Sequence, residues 1–314
     1  MTVGRFAPSP TGDLHLGSAL AALASWVSAR SAGGRFVWRV EDLDGPRAVP
    51  EAAERQMEDA RWLGLDWDEG PDVGGPHGPY RQSERGDVYD AALRRLAEAD
   101  RLFPCRVSRK DLLALASAPH GAEGLPPYPA SLRPDRLGEN WFDTETDCAF
   151  RFRIDPEEVA FEDRVIGRVE EDASAAVGDI VLKRRDGVYA YQLAVVVDDL
   201  AMGVTEVVRG ADLLGSTARQ ILLTRALGGT PPTHAHVPLL VAADGRKLSK
   251  REGDLSLRSL RDAGARPEAV VAWLAATLGQ TGRTPAEMAA AFDVSRVPTE
   301  AVPVPADLAD RLGG

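Results

Sequence analysis

A chain of 314 residues is long enough for a sizeable buried core and about two domains. Its 44% hydrophobic and 27% charged content are those of a soluble globular protein, and no apolar run approaches the roughly 20 residues a membrane-spanning helix needs. The net charge of −11 argues against indiscriminate polyanion binding, although Lys183-Arg184-Arg185 and Arg246-Lys247 allow either a short electropositive track or a solvated face. Two cysteines, Cys105 and Cys148, are too few for a disulfide framework. With no signal-peptide layout at the N-terminus, a cytoplasmic setting and no membrane partner are expected.

Residues 3–6 read as a short strand, followed by the turn-rich Ala7-Pro8-Ser9-Pro10-Thr11-Gly12. Over 14–30, Leu16, Ala19, Leu20, Leu23, Trp26 and Val27 recur at helical spacing. Gly33-Gly34 ends that helix, and 35–40 reads as a second strand, which makes a β-α-β unit. Helices over 50–63 and 83–99 continue the alternation and predict a parallel sheet with helices on both faces. Ala-Pro, Pro-Pro-Tyr-Pro and Arg-Pro steps over 103–136 predict an irregular insertion. Strands follow at 150–154, 179–183, 188–194 and 204–209, then a helix at 216–227. A strand at 237–241 leads to the tight-turn signal Ala243-Asp244-Gly245. A helix over 256–263 and about three short helices are expected in the remainder, with no repeats.

Two segments have the chemistry of nucleotide handling. The loop entering the first helix offers unpaired N–H groups and a positive dipole end to phosphates. Gly12 and Gly17 permit close approach there, and His15 can donate a hydrogen bond without a full charge at neutral pH. Alone this is equally consistent with plain architecture, for it is neither a Walker A loop nor a Gly-x-Gly-x-x-Gly turn. Over 230 residues downstream, Lys247-Leu248-Ser249-Lys250-Arg251 follows a strand and a turn. Its lysines suit transient stabilisation of pyrophosphate, although a lone basic loop is commonly just a solvated turn. Together the segments suit attack of a carboxylate on the α-phosphorus of ATP.

The pair resembles the two signatures of class I aminoacyl-tRNA synthetases. His15-Leu16-Gly17-Ser18 stands in the place of His-Ile-Gly-His, and Lys247-Leu248-Ser249-Lys250-Arg251 in that of Lys-Met-Ser-Lys-Ser. Arg5-Phe6-Ala7-Pro8-Ser9-Pro10-Thr11-Gly12 and Arg39-Val40-Glu41-Asp42-Leu43-Asp44 look like the glutamyl subgroup. Gly210-Ala211-Asp212-Leu213-Leu214 and Thr217-Ala218-Arg219-Gln220 extend the likeness, which covers roughly residues 3 to 260. It implies an α/β, Rossmann-like catalytic domain with an irregular insertion and a short helical C-terminal region. The expected division is 1–102 and 149–255 as catalytic halves, 103–148 as insertion, and 256–314 as the helical end. Only about 60 residues follow the second motif, too few for an anticodon-binding region. On that ground the chain looks like the glutamyl-queuosine tRNA(Asp) synthetases, truncated paralogues of glutamyl-tRNA synthetase.

That resemblance implies tRNA-independent conversion of L-glutamate to glutamyl-adenylate and its transfer to queuosine at the wobble position of tRNA(Asp). A different acceptor, or an idle paralogue serving as a binding module, are the alternatives. By the same resemblance Arg5, Phe6, Ala7, Pro8, Ser9, Glu41, Tyr191 and Arg209 bind glutamate. Gly12, His15, Gly17 and Lys250 hold ATP, with His15, Lys247 and Lys250 catalytic. The chemistry agrees, since Arg5 can pair bidentately with a carboxylate and Glu41 can accept from an ammonium. Arg39 and Glu41 equally allow a surface pair, and Tyr191 equally allows sheet packing. Mg²⁺ is expected with ATP, with no carboxylate cluster marking a dedicated cage. Many relatives bind zinc through Cys-x-Cys and Tyr-x-x-x-Cys. Here those positions read Cys105-Arg106-Val107 and Tyr128-Pro129-Ala130-Ser131-Leu132, so two of four ligands are apolar and no zinc is expected. His120 and Cys148 lack ligand spacing, and Pro126, Pro127 and Pro129 are expected to stiffen the insertion instead. A monomer is the expected state.

Overall fold

In chain order the strands are β1 (Val3–Phe6), β2 (Arg35–Trp38), β3 (Leu102–Cys105), β4 (Ala149–Phe152), β5 (Glu158–Asp163), β6 (Gly167–Asp172), β7 (Ile180–Lys183), β8 (Glu206–Gly210), β9 (Thr233–Val237), β10 (Leu240–Val241) and β11 (Val302–Pro303). The helices of more than one turn are α1 (Leu16–Ser31), α2 (Ala52–Trp62), α3 (Gly86–Glu98), α4 (Tyr191–Ala201), α5 (Thr217–Ala226), α6 (Leu257–Asp262), α7 (Pro267–Thr277), α8 (Pro285–Ala290) and α9 (Leu308–Gly313). The structure is a computed structural model that describes residues 1–108, 110–112, 127–138, 140–176, 178–242, 245–246 and 255–313.

All four residues of β1 are buried, so this is a core strand. It pairs in parallel with β2, Val3 opposite Arg35 and Phe6 opposite Trp38. The crossover is α1, whose small residues let it lie close on the sheet: a Cβ on Gly4 would sit 2.9 Å from that of Ala29. A second parallel pair, β8 and β9, is joined by α5 and continues through β5 to β6, in the order β6-β5-β9-β8. The two sheets meet edge to edge, where the Thr205 N–H donates to the Val3 carbonyl at 3.0 Å and the Val3 N–H to Thr205 Oγ1 at 2.9 Å. The expected α/β plan with parallel strands is therefore the observed one. A separate antiparallel sheet, β3-β4-β7, carries the chain into and out of the insertion.

Four expectations need correction. Residues 188–194 are not a strand, since α4 begins at Tyr191. Every residue from Leu193 to Asp199 is buried, so this helix has no long polar face to mark its period, and Val195-Val196-Val197 mimics a strand. Phe103–Cys105 belong to β3 rather than to irregular structure. The expected strand over 237–241 is split: β9 ends at Val237, and β10 begins after Pro238, which has no N–H for a ladder. Residues 158–172, where no strand is expected, form the β5–β6 hairpin, paired from Glu158↔Asp172 to Asp163↔Gly167.

The main core joins the first β-α-β unit to the C-terminal helices. Leu16, Leu20 and Leu23 of α1 share it with Leu257, Leu260, Leu274, Met288 and Leu308. A second core lies among α3, α4, α5 and the antiparallel sheet. No helix among the described residues is long and apolar enough to cross a membrane.

Between the cores runs a buried ion network. Arg39 is wholly buried and is no surface residue. Its Nη1 donates to Asp199 Oδ1 at 2.7 Å and its Nη2 to Glu41 Oε1 at 3.1 Å, while Nε lies 3.6 Å from Asp198 Oδ2. Burial alone would lower the Arg39 pKa, but Asp199, Asp198 and Glu41 outweigh it and raise it. Asp198 also accepts from Arg85 Nε (2.6 Å), Gln82 Nε2 (2.8 Å) and the Tyr89 hydroxyl (3.0 Å). These bonds tie the end of β2 and the start of α3 to the middle of α4. Removing one side of such a network strands charge in the interior. Asp198→Ala is expected to lower unfolding stability by about 3–5 kcal/mol in a urea titration, because both guanidinium groups stay buried; a loss below about 1 kcal/mol would deny the network that role.

Candidate active site

The turn after β1 is held almost entirely by backbone. The Phe6 carbonyl accepts from Arg39 N, Pro8 O from Glu41 N, and Pro10 O from Val49 N, at 3.0, 3.0 and 2.8 Å. Gln56 on α2 is buried and donates through Nε2 to Ser9 O at 3.1 Å and to Gly12 O at 2.7 Å. Gly12 sits at φ +149°, a conformation that side-chain-bearing residues rarely adopt. The turn delivers His15 to the N-cap of α1, where its side chain does not cap the helix. Gly17 follows in the first turn, and a Cβ there would meet no protein atom within 4 Å. The space beside it is cleft.

That cleft has a volume of about 630 Å³ and is lined by Arg5, Phe6, Ala7, Pro8, Ser9, His15, Gly17, Glu41, Tyr191 and Arg209. All the residues expected to bind glutamate thus share one cavity with the N-terminus of α1. Gly12 shapes the turn without lining the cavity. Lys247 and Lys250 lie outside the described residues. The segments flanking them are on the cavity wall, which includes Leu240 and Leu255. The Leu16 N–H donates to Leu255 O at 2.9 Å and the Leu257 N–H to Leu14 O at 2.8 Å, so the chain just beyond the second motif is hydrogen-bonded to the first.

The charged residues divide into two kinds. Arg5 is buried, with Nε 3.5 Å from Asp199 Oδ1. Burial raises the Glu41 pKa, and Arg39 and Arg5 pull it back. For Asp199 burial acts in the same sense, but Arg39 and Arg5 prevail and lower it. Arg209 is different, because its hydrogen-bond partners are all neutral. Nε donates to His236 Nε2 (3.0 Å), Nη1 to Gln220 Oε1 (2.7 Å), and Nη2 to Thr217 Oγ1 (2.8 Å) and Leu213 O (3.2 Å). Among the described residues no carboxylate lies within ion-pair distance of it, and burial lowers its pKa while leaving it charged. Tyr191 is not packed in a sheet; it is the first residue of α4, 37% exposed into the cleft, and enclosure by the walls raises its pKa.

Several of these supports carry no motif. Gln56, Asp199, Gln220 and His236 come from four separate elements, and only Gln220 lies within a motif segment, Thr217-Ala218-Arg219-Gln220. The basic cluster Lys183-Arg184-Arg185 is a solvated face, its charges met by Asp90, Asp186 and Asp147. Among the described residues no group of three or more His, Cys, Asp or Glu could hold a metal ion. Cys105 and Tyr128 are close, with Sγ 3.6 Å from the hydroxyl, and Arg151 Nε donates to that sulfur at 3.3 Å. Val107 and Leu132 pack as apolar side chains in the same cluster.

The arrangement combines a helix N-terminus at the cleft, a carboxylate able to take an ammonium, and a guanidinium whose hydrogen-bond partners are all neutral. Residues 1–302 match the family model for "tRNA synthetases class I (E and Q), catalytic domain". The Glutamyl-Q tRNA(Asp) synthetase of Symbiobacterium thermophilum is 51% identical, over 100% of this chain and 99% of that protein. The protein of the same name from Nitratidesulfovibrio vulgaris is 46% identical, over 99% and 98%. The crystal structure of glutamate-tRNA synthetase from Elizabethkingia anophelis superposes with a TM-score of 0.86 at 30% identity, covering 99% of this chain and 69% of that one.

The space beside Gly17 generates a prediction in which stability and binding separate. Alanine in a helix is favoured over glycine by about 1 kcal/mol, and the fold has room for the methyl group. Gly17→Ala should therefore raise the thermal midpoint slightly, yet weaken ATP binding about tenfold or more in a calorimetric titration. Unchanged affinity would show that nucleotide does not lie against this turn.

Proposed function

The chain belongs to the class I tRNA synthetases of the E and Q group, ligases of the aminoacyl-tRNA synthetase type, and from that premise we propose that it activates L-glutamate with ATP in the absence of tRNA. The glutamyl group then passes to queuosine at the wobble position of tRNA(Asp). In the first step a carboxylate oxygen of glutamate attacks the α-phosphorus, and the bond to pyrophosphate breaks. In the second a hydroxyl of the queuosine diol attacks the acyl carbon, AMP leaves, and the hydroxyl proton is released to water. Arg5 and the segment Phe6–Ser9 bind glutamate, and Glu41 accepts from its ammonium. Tyr191 and Arg209 take its side-chain carboxylate. ATP enters as its Mg²⁺ complex, its phosphates at the N-terminus of α1 with His15 and Gly17. Lys250, with Lys247, stabilises charge on the α-phosphate and pyrophosphate.

The observation that carries the substrate is Arg209, a buried guanidinium with only neutral partners beside Tyr191. A carboxylate ligand neutralises it and an amide does not, which favours glutamate over glutamine. Support for the acceptor comes from the end-to-end match with relatives named for it. The proposed setting is the cytoplasm, in keeping with two free, buried cysteines, and the proposed state is a monomer.

ATP–pyrophosphate exchange should proceed with glutamate and no tRNA, and Lys250→Ala should lower it about 100-fold without moving the thermal midpoint. Exchange that needs tRNA would overturn the activation step, and absence of exchange would favour a binding module. Radiolabelled glutamate should enter tRNA(Asp) carrying queuosine and not the same tRNA carrying guanosine. Equal labelling of both would overturn the acceptor.

We also infer that the insertion stands without zinc. A structural zinc needs four N, S or O donors, and Val107 and Leu132 are apolar and packed. The Arg151 guanidinium supplies a cation beside the Cys105 sulfur instead. It lies 4.3 Å from the centre of the Tyr128 ring and donates through Nη1 to Asp179 O at 2.6 Å. Metal analysis of the purified protein should return less than about 0.1 zinc per chain, with a melting curve insensitive to EDTA. One equivalent per chain would refute the inference.

A further inference from the structure

Asp163, His236 and Arg209 form a row across three adjacent strands. Asp163 ends β5, His236 lies in β9 and Arg209 in β8, with Asp163 aligned to His234 and Arg209 to His236 in the sheet register. Only Arg209 reaches the cleft. The His236 and Asp163 side chains are fully buried behind it.

The hydrogen bonds permit one proton arrangement. Arg209 has donors only, so His236 Nε2 must present its lone pair to the Arg209 Nε–H at 3.0 Å. The imidazole proton then belongs on Nδ1, where Asp163 Oδ2 accepts it at 2.6 Å. The other carboxylate oxygen, Oδ1, accepts from the backbone N–H groups of Val165 (3.0 Å), Ile166 (3.0 Å) and His236 (3.2 Å), so the carboxylate cannot turn. Burial raises the Asp163 pKa, but these bonds overcome it and hold the group down at about 2. Burial lowers the His236 pKa, and the adjacent Arg209 works the same way against Asp163. The opposite tautomer, or an imidazolium, would turn an N–H toward the guanidinium and lose the bond.

We propose that Asp163 and His236 are positioning residues that set the aim of Arg209, so that discrimination of a side-chain carboxylate from its amide depends on two residues that do not touch the substrate. The proposal rests on the reading of Arg209 as the partner of that carboxylate. Four of the five Arg209 N–H donors are engaged in the fold, one of them by His236. Without the His236 lone pair Nε–H loses its partner, and the guanidinium, held at its Nη atoms alone by Gln220, Thr217 and Leu213, can tilt from its aim. Loss of aim falls on the bound carboxylate and not on ATP, whose phosphates are proposed to lie at the N-terminus of α1.

The test is tRNA-free exchange with glutamate and ATP varied separately. His236→Phe should raise the glutamate KM about 10- to 100-fold, with the ATP KM within about twofold, and should narrow the preference for glutamate over glutamine. His236→Gln should recover the glutamate KM to within about fivefold, since its amide N–H can donate to Asp163 while its oxygen accepts from Arg209. In an Arg209→Ala background, His236→Phe should add less than about twofold, because the group it aims is gone. Equal movement of both KM values, or no rescue by glutamine, would reduce the pair to a structural role and overturn the proposal. If Arg209→Ala raises the glutamate KM and His236→Phe does not, the positioning fails while the Arg209 assignment stands. If Arg209→Ala itself changes nothing, that assignment fails first. Should His236→Phe not fold, Asp163→Asn carries the test. Its amide N–H groups no longer hold the proton on Nδ1, so the same selective rise of about tenfold is expected, and its absence counts against the proposal.

Discussion

Arg39 is the constraint around which this molecule is built. A fully buried guanidinium is tolerated only where carboxylates surround it, and here three do, from the chain after β2 and from α4. Meeting that requirement fixes α4 against the β1–β2 unit and fixes the start of α3 through Arg85 and Tyr89. It also places Glu41 at the cleft already partly neutralised, with Asp199 buried within the network. The network holds the halves of the site in register while setting its electrostatics, so neither function can be altered alone.

The cleft exploits a contrast between two arginines. Arg5 faces Asp199 within the network, so part of its charge is answered by the protein. Arg209 gives its hydrogen bonds to histidine, glutamine, threonine and a carbonyl, so its geometry is defined by neutral groups and Asp199 and Glu41 act on it only at a distance. A neutral cage around a cation preorganises it for an anion without offering a competing one. The desolvation cost is borne by the fold before any ligand arrives.

Local signals read correctly where one face of an element is polar or a turn is chemically explicit. The β1-α1-β2 unit, α2, α3 and α5 all appear close to their expected places because apolar spacing and glycine breaks mark them. Segment 188–194 reads as a strand because α4 is buried along most of its length and rich in valine, so periodicity and propensity both point that way. The β5–β6 hairpin escaped because Glu, Asp and Arg crowd its exposed faces and only Val159 and Asp163 of β5 are buried. At the site, the residues expected to bind glutamate are legible in the sequence and line one cavity with His15 and Gly17, whereas Gly12 does not line it and Lys247 and Lys250 lie outside the described residues. Gln56, Asp198, Asp199, Asp163 and His236 are not legible, because a polar residue buried by partners 40 to 200 positions away looks like any surface residue in a one-dimensional string. Arg39, which read equally well as surface, is the clearest case.

The pairing of Leu14–Leu16 with Leu255–Leu257 uses main-chain donors and acceptors alone. The bonds themselves ask nothing of the side chains, while Leu14, Leu16 and Leu257 anchor the joint in the main core. For protein engineering the return point beside His15 is a backbone landmark, fixed by main-chain bonds on both sides of His15 and Ser256.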